Sequence, residues 1–145
     1  MDGSVKIRLA AMEDVPALAE LSGQLGYQAN LEEMEERLEA MSDYFSHAVF
    51  VAEVDGKVVG WIHGFARHLL LVGSHIEIGG LVVDKDHRNH KIGEKLLEAI
   101  EGWAEELGVE TVYVASNHVR EDAHRFYLAH GYEHYKTSFK FRKHI

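Results

Sequence analysis

The chain has 145 residues, no cysteine and a formal net charge of −9, which indicates one domain held together without disulfides. The lack of thiols excludes cysteine catalysis and a cysteine-ligated zinc site, and it agrees with a reducing cytosol, so we expect a cytoplasmic protein. The acidity argues against nucleic acid as a partner, because phosphate contacts need a basic surface. No apolar run approaches the roughly 18–20 residues of a membrane span, so no membrane partner is expected.

The N-terminal region predicts one strand followed by two helices. Val5–Leu9 alternates apolar and charged residues, as a half-buried strand does. Asp14 is placed to cap a helix that tolerates Pro16 in its first turn and ends at Gly26. Asn30 opens a second, highly charged helix that extends to about residue 41.

Three strands are predicted next. The apolar stretch 48–52 is typical of a buried strand, and Asp55-Gly56 is a two-residue hairpin signal that joins it to a returning strand at 57–68. A further strand covers about 74–84 and contains Gly79-Gly80. Paired glycines inside a strand indicate a bulge or a close approach of another group to the backbone.

The C-terminal part alternates helices and strands. Residues 92–107 carry apolar side chains at helical spacing and end before Gly108. A short apolar strand at 111–115 leads to a helix at 121–130, which Gly131 terminates. The remaining tail alternates as a last strand, and its residues 137–143 are a candidate contact edge between subunits.

The predicted order is therefore β-α-α-β-β-β-α-β-α-β. A hairpin followed by a β-α-β unit implies a mixed, mostly antiparallel sheet with about four helices covering its faces. We predict a single α/β (α+β) domain over residues 1–145.

Residues 81–97 form the candidate chemical site, because an apolar strand here runs into a polar turn and then into a helix. The first turn of a helix leaves backbone N–H groups unpaired, and the positive end of the helix dipole lies beside them. Together they can bind a pyrophosphate. Gly93 would let phosphates approach closely, and Arg88, Lys91 and Lys95 would supply positive charge.

This segment resembles the signature of the GCN5-related N-acetyltransferases, Arg/Gln-x-x-Gly-x-Gly/Ala after an apolar strand. Arg88 and Gly93 match its first and last positions, whereas Lys91 stands where the first glycine normally is. A non-glycine residue there must avoid a positive φ or bear its cost. Lys91 could instead add a direct phosphate contact.

A second stretch, 116–132, closely resembles that family's Asn…Ala-x-x-Phe-Tyr-x-x-x-Gly-Tyr/Phe motif, with Asn117, Phe126 and Tyr127 at matching positions. One helix and one strand fit between the two motifs, as in the family, and the resemblance covers nearly the whole chain. Residues 122–127 look most like the aminoalkylphosphonate N-acetyltransferases. Aminoglycoside 6′-N-acetyltransferases are similar too.

The resemblance implies an enzyme that transfers an acetyl group from acetyl-CoA to a primary amine of a small molecule by direct attack on the thioester. The strand before the loop would splay from its neighbour and pair with the pantetheine arm, with an oxyanion donor among its backbone N–H groups near residues 81–82. A homodimer is expected by analogy. The implied cofactor-binding residues are Leu81, Val82, Val83, Arg88, Asn89, His90, Lys91, Ile92, Gly93, Glu94, Lys95, Asn117 and Phe126.

Two side chains are candidates for proton transfer by this resemblance. Tyr127 would act as general acid towards the departing thiolate; the alternative is a core aromatic beside Phe126. Glu77 would act as general base, directly or through water, since some family members carry a catalytic glutamate there; the alternative is a solvent-facing strand residue. His75 lies on the same strand face and competes for the base role.

No metal is assigned. The eleven histidines form no H-E-x-x-H pattern, and Asp84, Asp86 and His87 suit a solvated turn, although they could meet a divalent ion. Substrate determinants are expected within about 25–44, where five glutamates could attract a cationic amine or simply form a solvated helix face.

Three other functions remain open at this stage. A peptide or protein amine could be the acceptor instead of a small molecule. The departure at Lys91 would also suit a non-catalytic acyl-CoA-binding or sensor module. An unrelated nucleotide-binding domain has less support, because the sequence contains neither G-x-G-x-x-G nor a P-loop lysine motif.

Overall fold

A computed structural model describes residues 4–42, 45–88, 91–117 and 120–145. The chain forms two compact units, Met1–Val114 and Ala115–Ile145. The prediction of one domain over the whole chain stays a prediction. Within the described ranges, no helix is long and apolar enough to cross a membrane. The elements are β1 (Val5–Leu9), α1 (Val15–Leu25), α2 (Leu31–Ser42), β2 (His47–Val54), β3 (Lys57–Leu69), β4 (Gly73–Val83), α3 (Ile92–Glu106), β5 (Val112–Val114) and α4 (Glu121–Ala129).

The first unit is built on a five-stranded sheet in the order β1-β2-β3-β4-β5. All neighbours are antiparallel except β4 and β5, which run parallel, so the predicted mixed sheet is confirmed. The predicted β2–β3 hairpin is also confirmed. Asp55 and Gly56 have φ of 50° and 78°, the two positive values that a tight hairpin turn matching the strand twist requires.

Helices cover both faces of this sheet. On one face α1 and α2 pack through a buried cluster of Val15, Leu18, Leu38 and Val51. On the other face α3 lies against β3, where a Cβ on Gly64 would come within 2.7 Å of Ile100. The missing side chain therefore lets α3 approach the sheet closely at this point.

Asp14 occupies the predicted position before α1 but performs a different task. Its carboxylate makes no capping bond to α1. Instead it accepts two hydrogen bonds from the Arg8 guanidinium, at 2.8 and 2.9 Å, and one from the Ala11 N–H at 2.7 Å. The Arg8 hydrogen bonds hold the pKa of the buried Asp14 below its usual range. The residue thus ties β1 to the start of α1 through a buried ion pair.

The predicted bulge in β4 is confirmed at Gly79. His63 pairs with Gly80 and Gly64 pairs with Ile78, so Gly79 has no partner on β3. A Cβ on Gly79 would lie 2.7 Å from His63 Nδ1, and one on Gly80 would lie 2.7 Å from Trp61 Cη2. Aromatic rings on β3 therefore occupy the space that side chains on the two glycines would need.

The second unit contains α4 and an extended tail. Gly131, with φ of 91°, follows the helix as predicted. The predicted last strand is not present: residues 132–145 form neither helix nor strand. A strand needs a neighbouring strand for its backbone hydrogen bonds, and the alternation of side chains on which the prediction rested does not supply one.

The contact of β3 side chains with Gly79 and Gly80 predicts that a single methyl group added at either glycine destabilises the fold. We expect Gly80→Ala and Gly79→Ala each to lower the free energy of unfolding by about 1–3 kcal/mol, because the added Cβ would lie too close to an aromatic ring on β3, which must then shift. Chemical denaturation followed by circular dichroism measures the change.

Gly102→Ala is the matched control for this prediction. Gly102 lies inside α3, and a Cβ there would meet nothing within 4 Å. Alanine at an open helical position should raise stability by about 0.5–1 kcal/mol. Equal, small effects of all three substitutions would contradict the packing argument.

Candidate active site

The outer edge of β4 opens where the bulge begins. β5 pairs with β4 only over Ile76–Ile78, whereas β4 continues to Val83 with β3 as its sole strand partner among the described residues. The two parallel strands thus separate after Ile78, as the resemblance implied. Backbone groups of residues 79–83 are left on an edge that an extended, hydrogen-bonding arm can join.

Glu77 lies on β4 two residues before the bulge. Arg67 on β3 donates a hydrogen bond to Glu77 Oε1 at 2.7 Å. The Glu77 side chain is half-buried, with 23% of its surface exposed, so its carboxylate is neither buried in the core nor fully solvated. Among the described residues of the first unit, Oε2 has no hydrogen-bond partner. This oxygen is therefore available to accept a proton.

His75 is buried beneath that ion pair. Its Nε2 lies 3.8 Å from Glu77 Oε1, and its ring meets Tyr113 edge-on at 4.4 Å between centroids. Its Nδ1 is buried and has no hydrogen-bond partner among the described residues. The buried His75 ring therefore has little access to a solvent-borne amine.

Sequence reasoning missed a pair of histidines on the same face of the sheet. His47 Nδ1 lies 3.0 Å from His63 Nε2, and the rings stack at 5.2 Å with Phe65 beside them. Burial, reinforced by the positive charge that His47 can carry, lowers the pKa of His63 to about 4. His63 is therefore neutral at physiological pH. The two residues are 16 apart, and only the β2–β3 register brings them together.

A small open cavity of about 210 Å³ adjoins this pair and is lined by Arg37, Ala40, Met41 and His47. It lies between α2 and β2, and three of its lining residues, Arg37, Ala40 and Met41, belong to the stretch of about 25–44 where the sequence predicted substrate determinants. The five glutamates of α2 are all exposed, which agrees with a solvated helix face. Residues 43–44 of that stretch lie outside the described residues.

The start of α3 lies at the end of the loop that follows β4. Lys91 is its N-cap, with φ of 58° and ψ of 24°, and its side chain caps no backbone group. The lysine thus adopts the left-handed conformation that glycine takes without strain. Lys91 therefore departs from the family signature in its side chain but has the backbone conformation that suits glycine.

A second residue that sequence reasoning missed holds this loop. Gln24, near the end of α1, donates to Asp84 Oδ1 at 2.8 Å and accepts from the Lys85 N–H at 3.0 Å. Asp84 also bonds the His87 ring at 2.8 Å. These partners lower the pKa of Asp84. No local sequence pattern identified Gln24, because its partners lie 60 residues away.

The other residues that the resemblance implies for cofactor binding differ in how far their side chains are exposed. Arg88, Lys91 and Lys95 are exposed, and Arg88 Nε donates to the Val83 carbonyl at 3.2 Å. The side chains of Ile92 and Val82 are buried, so only their backbone groups can meet a ligand. Leu81, Val83, Gly93 and Glu94 are half-buried. Asn89 and His90 lie outside the described residues.

Tyr127, in the second unit, is the candidate acid. Its ring contacts Phe126 at 5.3 Å and Tyr132 at 5.7 Å between centroids. Burial raises the pKa of Tyr127 to about 12, so its hydroxyl is protonated at neutral pH and can donate. Asn117 precedes α4, and its side chain is exposed. Its backbone carbonyl is hydrogen-bonded to the His124 ring at 2.8 Å.

Residues 15–132 match the model of the acetyltransferase (GNAT) family. The chain belongs to the GNAT family. The predicted family is therefore confirmed, and so is the prediction that the protein is an acetyltransferase. This result excludes the unrelated nucleotide-binding domain.

Two curated relatives are similar to this acetyltransferase in sequence. The aminoalkylphosphonate N-acetyltransferase of Salmonella typhimurium is 32% identical over 143 residues, which covers 95% of this chain and 90% of the relative. The amino-acid acetyltransferase of Pasteurella multocida is 32% identical over 115 residues, covering 79% of this chain but 24% of that longer protein.

Two solved structures share the fold of this GNAT chain. An aminoglycoside 6′-N-acetyltransferase from Acinetobacter baumannii matches with a TM-score of 0.87 and 14% identity, covering 98% of this chain and 99% of the other. An aminoglycoside N-acetyltransferase in complex with CoA matches with a TM-score of 0.90 and 18% identity, covering 99% and 97%. At these identities the likeness establishes the fold alone.

Among residues 4–42, 45–88, 91–117 and 120–145, no group of three or more histidine or acidic side chains could hold a metal ion. In the turn after β4, the Asp84 carboxylate accepts a hydrogen bond from Gln24 and is also hydrogen-bonded to the His87 ring.

The left-handed conformation of Lys91 predicts a gain in stability on replacement by glycine. We expect Lys91→Gly to raise the free energy of unfolding by up to about 1 kcal/mol, because glycine adopts this φ without the steric cost of a Cβ. Thermal and urea unfolding measure the difference.

Lys95→Gly is the control, since Lys95 is an exposed residue inside the same helix. Glycine there should cost about 1 kcal/mol. A loss of stability in Lys91→Gly as large as that in the control would show that residue 91 is not left-handed in solution.

Proposed function

We propose that this acetyltransferase uses acetyl-CoA to acetylate the primary amine of a small molecule by direct attack on the thioester. The observation that carries the proposal is the open edge of β4, which begins at the Gly79 bulge and leads into the exposed N-terminus of α3. One strand edge and one helix terminus suit the two ends of CoA, an amide-containing arm and a pyrophosphate.

The charges around α3 suit the same cofactor. The chain carries a net charge of −9, yet Arg88, Lys91 and Lys95 are exposed within one turn before and after the helix start. This local cluster would attract phosphate groups against the field of the whole protein. When bound, acetyl-CoA supplies the activated acetyl group; the backbone N–H groups near residues 81–82 are our candidates for stabilising its carbonyl oxygen.

Glu77 is the proposed base. An alkylammonium group must lose a proton before it can attack, since an amine with a pKa near ~10 is about a thousandth neutral at pH 7. Arg67 fixes one carboxylate oxygen, and the other can take this proton directly or through water. The buried His75 ring beside it acts as a positioning group.

Tyr127 is the proposed general acid towards the thiolate of CoA. A phenol whose pKa is about 12 holds its proton throughout the pH range of an assay. It can therefore donate as the carbon–sulfur bond breaks. Asn117 and Phe126, from the same motif, are proposed to support CoA binding.

The acceptor is proposed to be small and cationic. Its relatives include an aminoalkylphosphonate acetyltransferase, and proteins that share its fold include aminoglycoside acetyltransferases. The face of the sheet that carries Glu77 also carries Arg67 and the His47–His63 pair. These groups offer hydrogen bonds to polar substituents of such an amine, so we place the acceptor there.

Calorimetry and a coupled assay test this proposal. We expect micromolar binding of acetyl-CoA, about −8 kcal/mol, no binding of ATP, and thiol release with some members of a panel of aminoalkylphosphonates, aminoglycosides and polyamines. Tight binding without turnover on any amine or peptide would leave a non-catalytic acyl-CoA module. Turnover on peptides alone would move the acceptor from small molecules to proteins.

The proposed roles of Tyr127 and Glu77 predict different kinetic defects when each residue is replaced. Tyr127→Phe should keep acetyl-CoA affinity but lower kcat at least tenfold, roughly 1.4 kcal/mol or more. Glu77→Gln should lower kcat at neutral pH and remove the rise of kcat with pH that a carboxylate base produces. Full pH–rate profiles of the purified variants measure both effects.

Matched controls exist for each substitution. Tyr132 is a ring neighbour of Tyr127, and Tyr132→Phe should leave kcat within about twofold. Glu53 is paired with Arg8 at 3.0 Å and is 24% exposed, close to the values for Glu77. Glu53→Gln should leave the pH profile unchanged. Wild-type turnover in Tyr127→Phe, or an unaltered profile in Glu77→Gln, would remove that residue from its role.

A further inference from the structure

The turn at residues 84–88, between β4 and α3, is tied to α1 by the side chain of Gln24. The Gln24 amide nitrogen donates a hydrogen bond to Asp84 Oδ1 at 2.8 Å, and its oxygen accepts one from the Lys85 N–H at 3.0 Å. The other oxygen of Asp84, Oδ2, lies 2.8 Å from His87 Nδ1. Both ends of one amide and both oxygens of one carboxylate are therefore engaged in holding this turn.

The link requires an amide at position 24. The hydrogen bond from Gln24, followed by that of His87, lowers the pKa of Asp84, so this carboxylate is ionised at neutral pH and needs donors. The Lys85 N–H needs an acceptor. A carboxamide donates through its nitrogen and accepts through its oxygen at the same time, whereas an ionised glutamate could only accept and a leucine could do neither.

Asp84 carries a negative charge just before the residues proposed to bind the phosphates of acetyl-CoA. Like charges repel, so a carboxylate at this position opposes phosphate binding. Its hydrogen bonds to Gln24 and His87 show that it serves the geometry of the turn instead. The backbone of Asp84 is fixed as well, because its N–H donates to the Val59 carbonyl at 2.7 Å and its carbonyl accepts from the His87 N–H at 2.9 Å.

The position of Arg88 depends on the same turn. Arg88 Nε donates to the Val83 carbonyl at 3.2 Å, so this cation is held against the residue that directly precedes Asp84. The helix α1 is a firm support for the link, because its Leu18 and Leu21 side chains are buried in the core. A displaced turn would therefore move both Arg88 and the chain that leads into α3.

We propose that Gln24 is a positioning residue of the acetyl-CoA site, which holds the turn from α1 so that Arg88 and the start of α3 meet the phosphates of the cofactor. The inference rests on the proposed use of acetyl-CoA and adds a residue that acts through the turn. Loss of the link should weaken acetyl-CoA binding. It should leave the chemical step nearly unchanged, since that step is proposed to take place at Glu77 and Tyr127.

An exchange of amide and carboxylate between positions 24 and 84 tests the proposal on the full chain. Gln24→Glu sets two carboxylates against each other, and it should raise the Kd and KM of acetyl-CoA about tenfold or more while kcat stays within about threefold. In Gln24→Glu/Asp84→Asn the new amide donates to the new carboxylate, which also accepts from the Lys85 N–H. Kd and KM should then return to within about threefold of wild type. Calorimetry and steady-state kinetics measure these constants.

Glu20→Gln is the control for a change of charge alone. Glu20 is exposed and lies one helical turn before Gln24 on α1, and removing its charge should leave the Kd within about twofold. Unchanged acetyl-CoA binding in Gln24→Glu, an effect of similar size in Glu20→Gln, or a double variant that binds no better than Gln24→Glu would each overturn the proposal.

Hydrogen exchange in the ligand-free protein tests the link without the cofactor. The Lys85 amide should exchange about tenfold faster in Gln24→Leu than in wild type, because it loses its acceptor. Equal exchange would mean that the link does not hold the turn in solution, which overturns the proposal. A wild-type protein that protects this amide but binds no acetyl-CoA would instead refute the proposed function, and with it this role of Gln24.

Discussion

The contact of Trp61 and His63 with the glycines of β4 is the constraint on which the site depends. Both rings occupy the space where side chains of Gly79 and Gly80 would lie, so the backbone of β4 is held close beneath them. The extra residue at Gly79 shifts the register between β3 and β4 and increases the local twist. From this point β4 departs from β5 and its outer edge opens.

The consequences of that bulge extend in both directions along β4. Before it, β4 pairs with both β3 and β5, and Glu77 is fixed by Arg67 one residue before the last position where β4 and β5 still pair. After it, the open edge leads to the loop that Gln24 ties to α1. A half-buried carboxylate, an open strand edge and a helix terminus thus follow one another along about fifteen residues of the chain.

The loop also shows how a signature can change without loss of its backbone geometry. Lys91 occupies the left-handed conformation expected of glycine, at the steric cost that a Cβ brings there. In return the lysine places a cation next to the first turn of the helix, where an anion is favoured. Lysine in place of glycine therefore makes the left-handed backbone conformation less favourable and adds a positive charge at the same position.

The sequence by itself determined the elements and the family, whereas the tertiary structure decided which side chains meet. The Asp55-Gly56 turn, the Gly79 bulge and the helix ends followed from the sequence because they depend on local φ preferences and spacing. The His47–His63 pair and the Gln24 anchor did not, because strand register and helix placement bring together residues that are distant along the chain. The final strand was predicted from alternation alone, but a strand also needs a partner edge, and that is a property of the tertiary or quaternary structure.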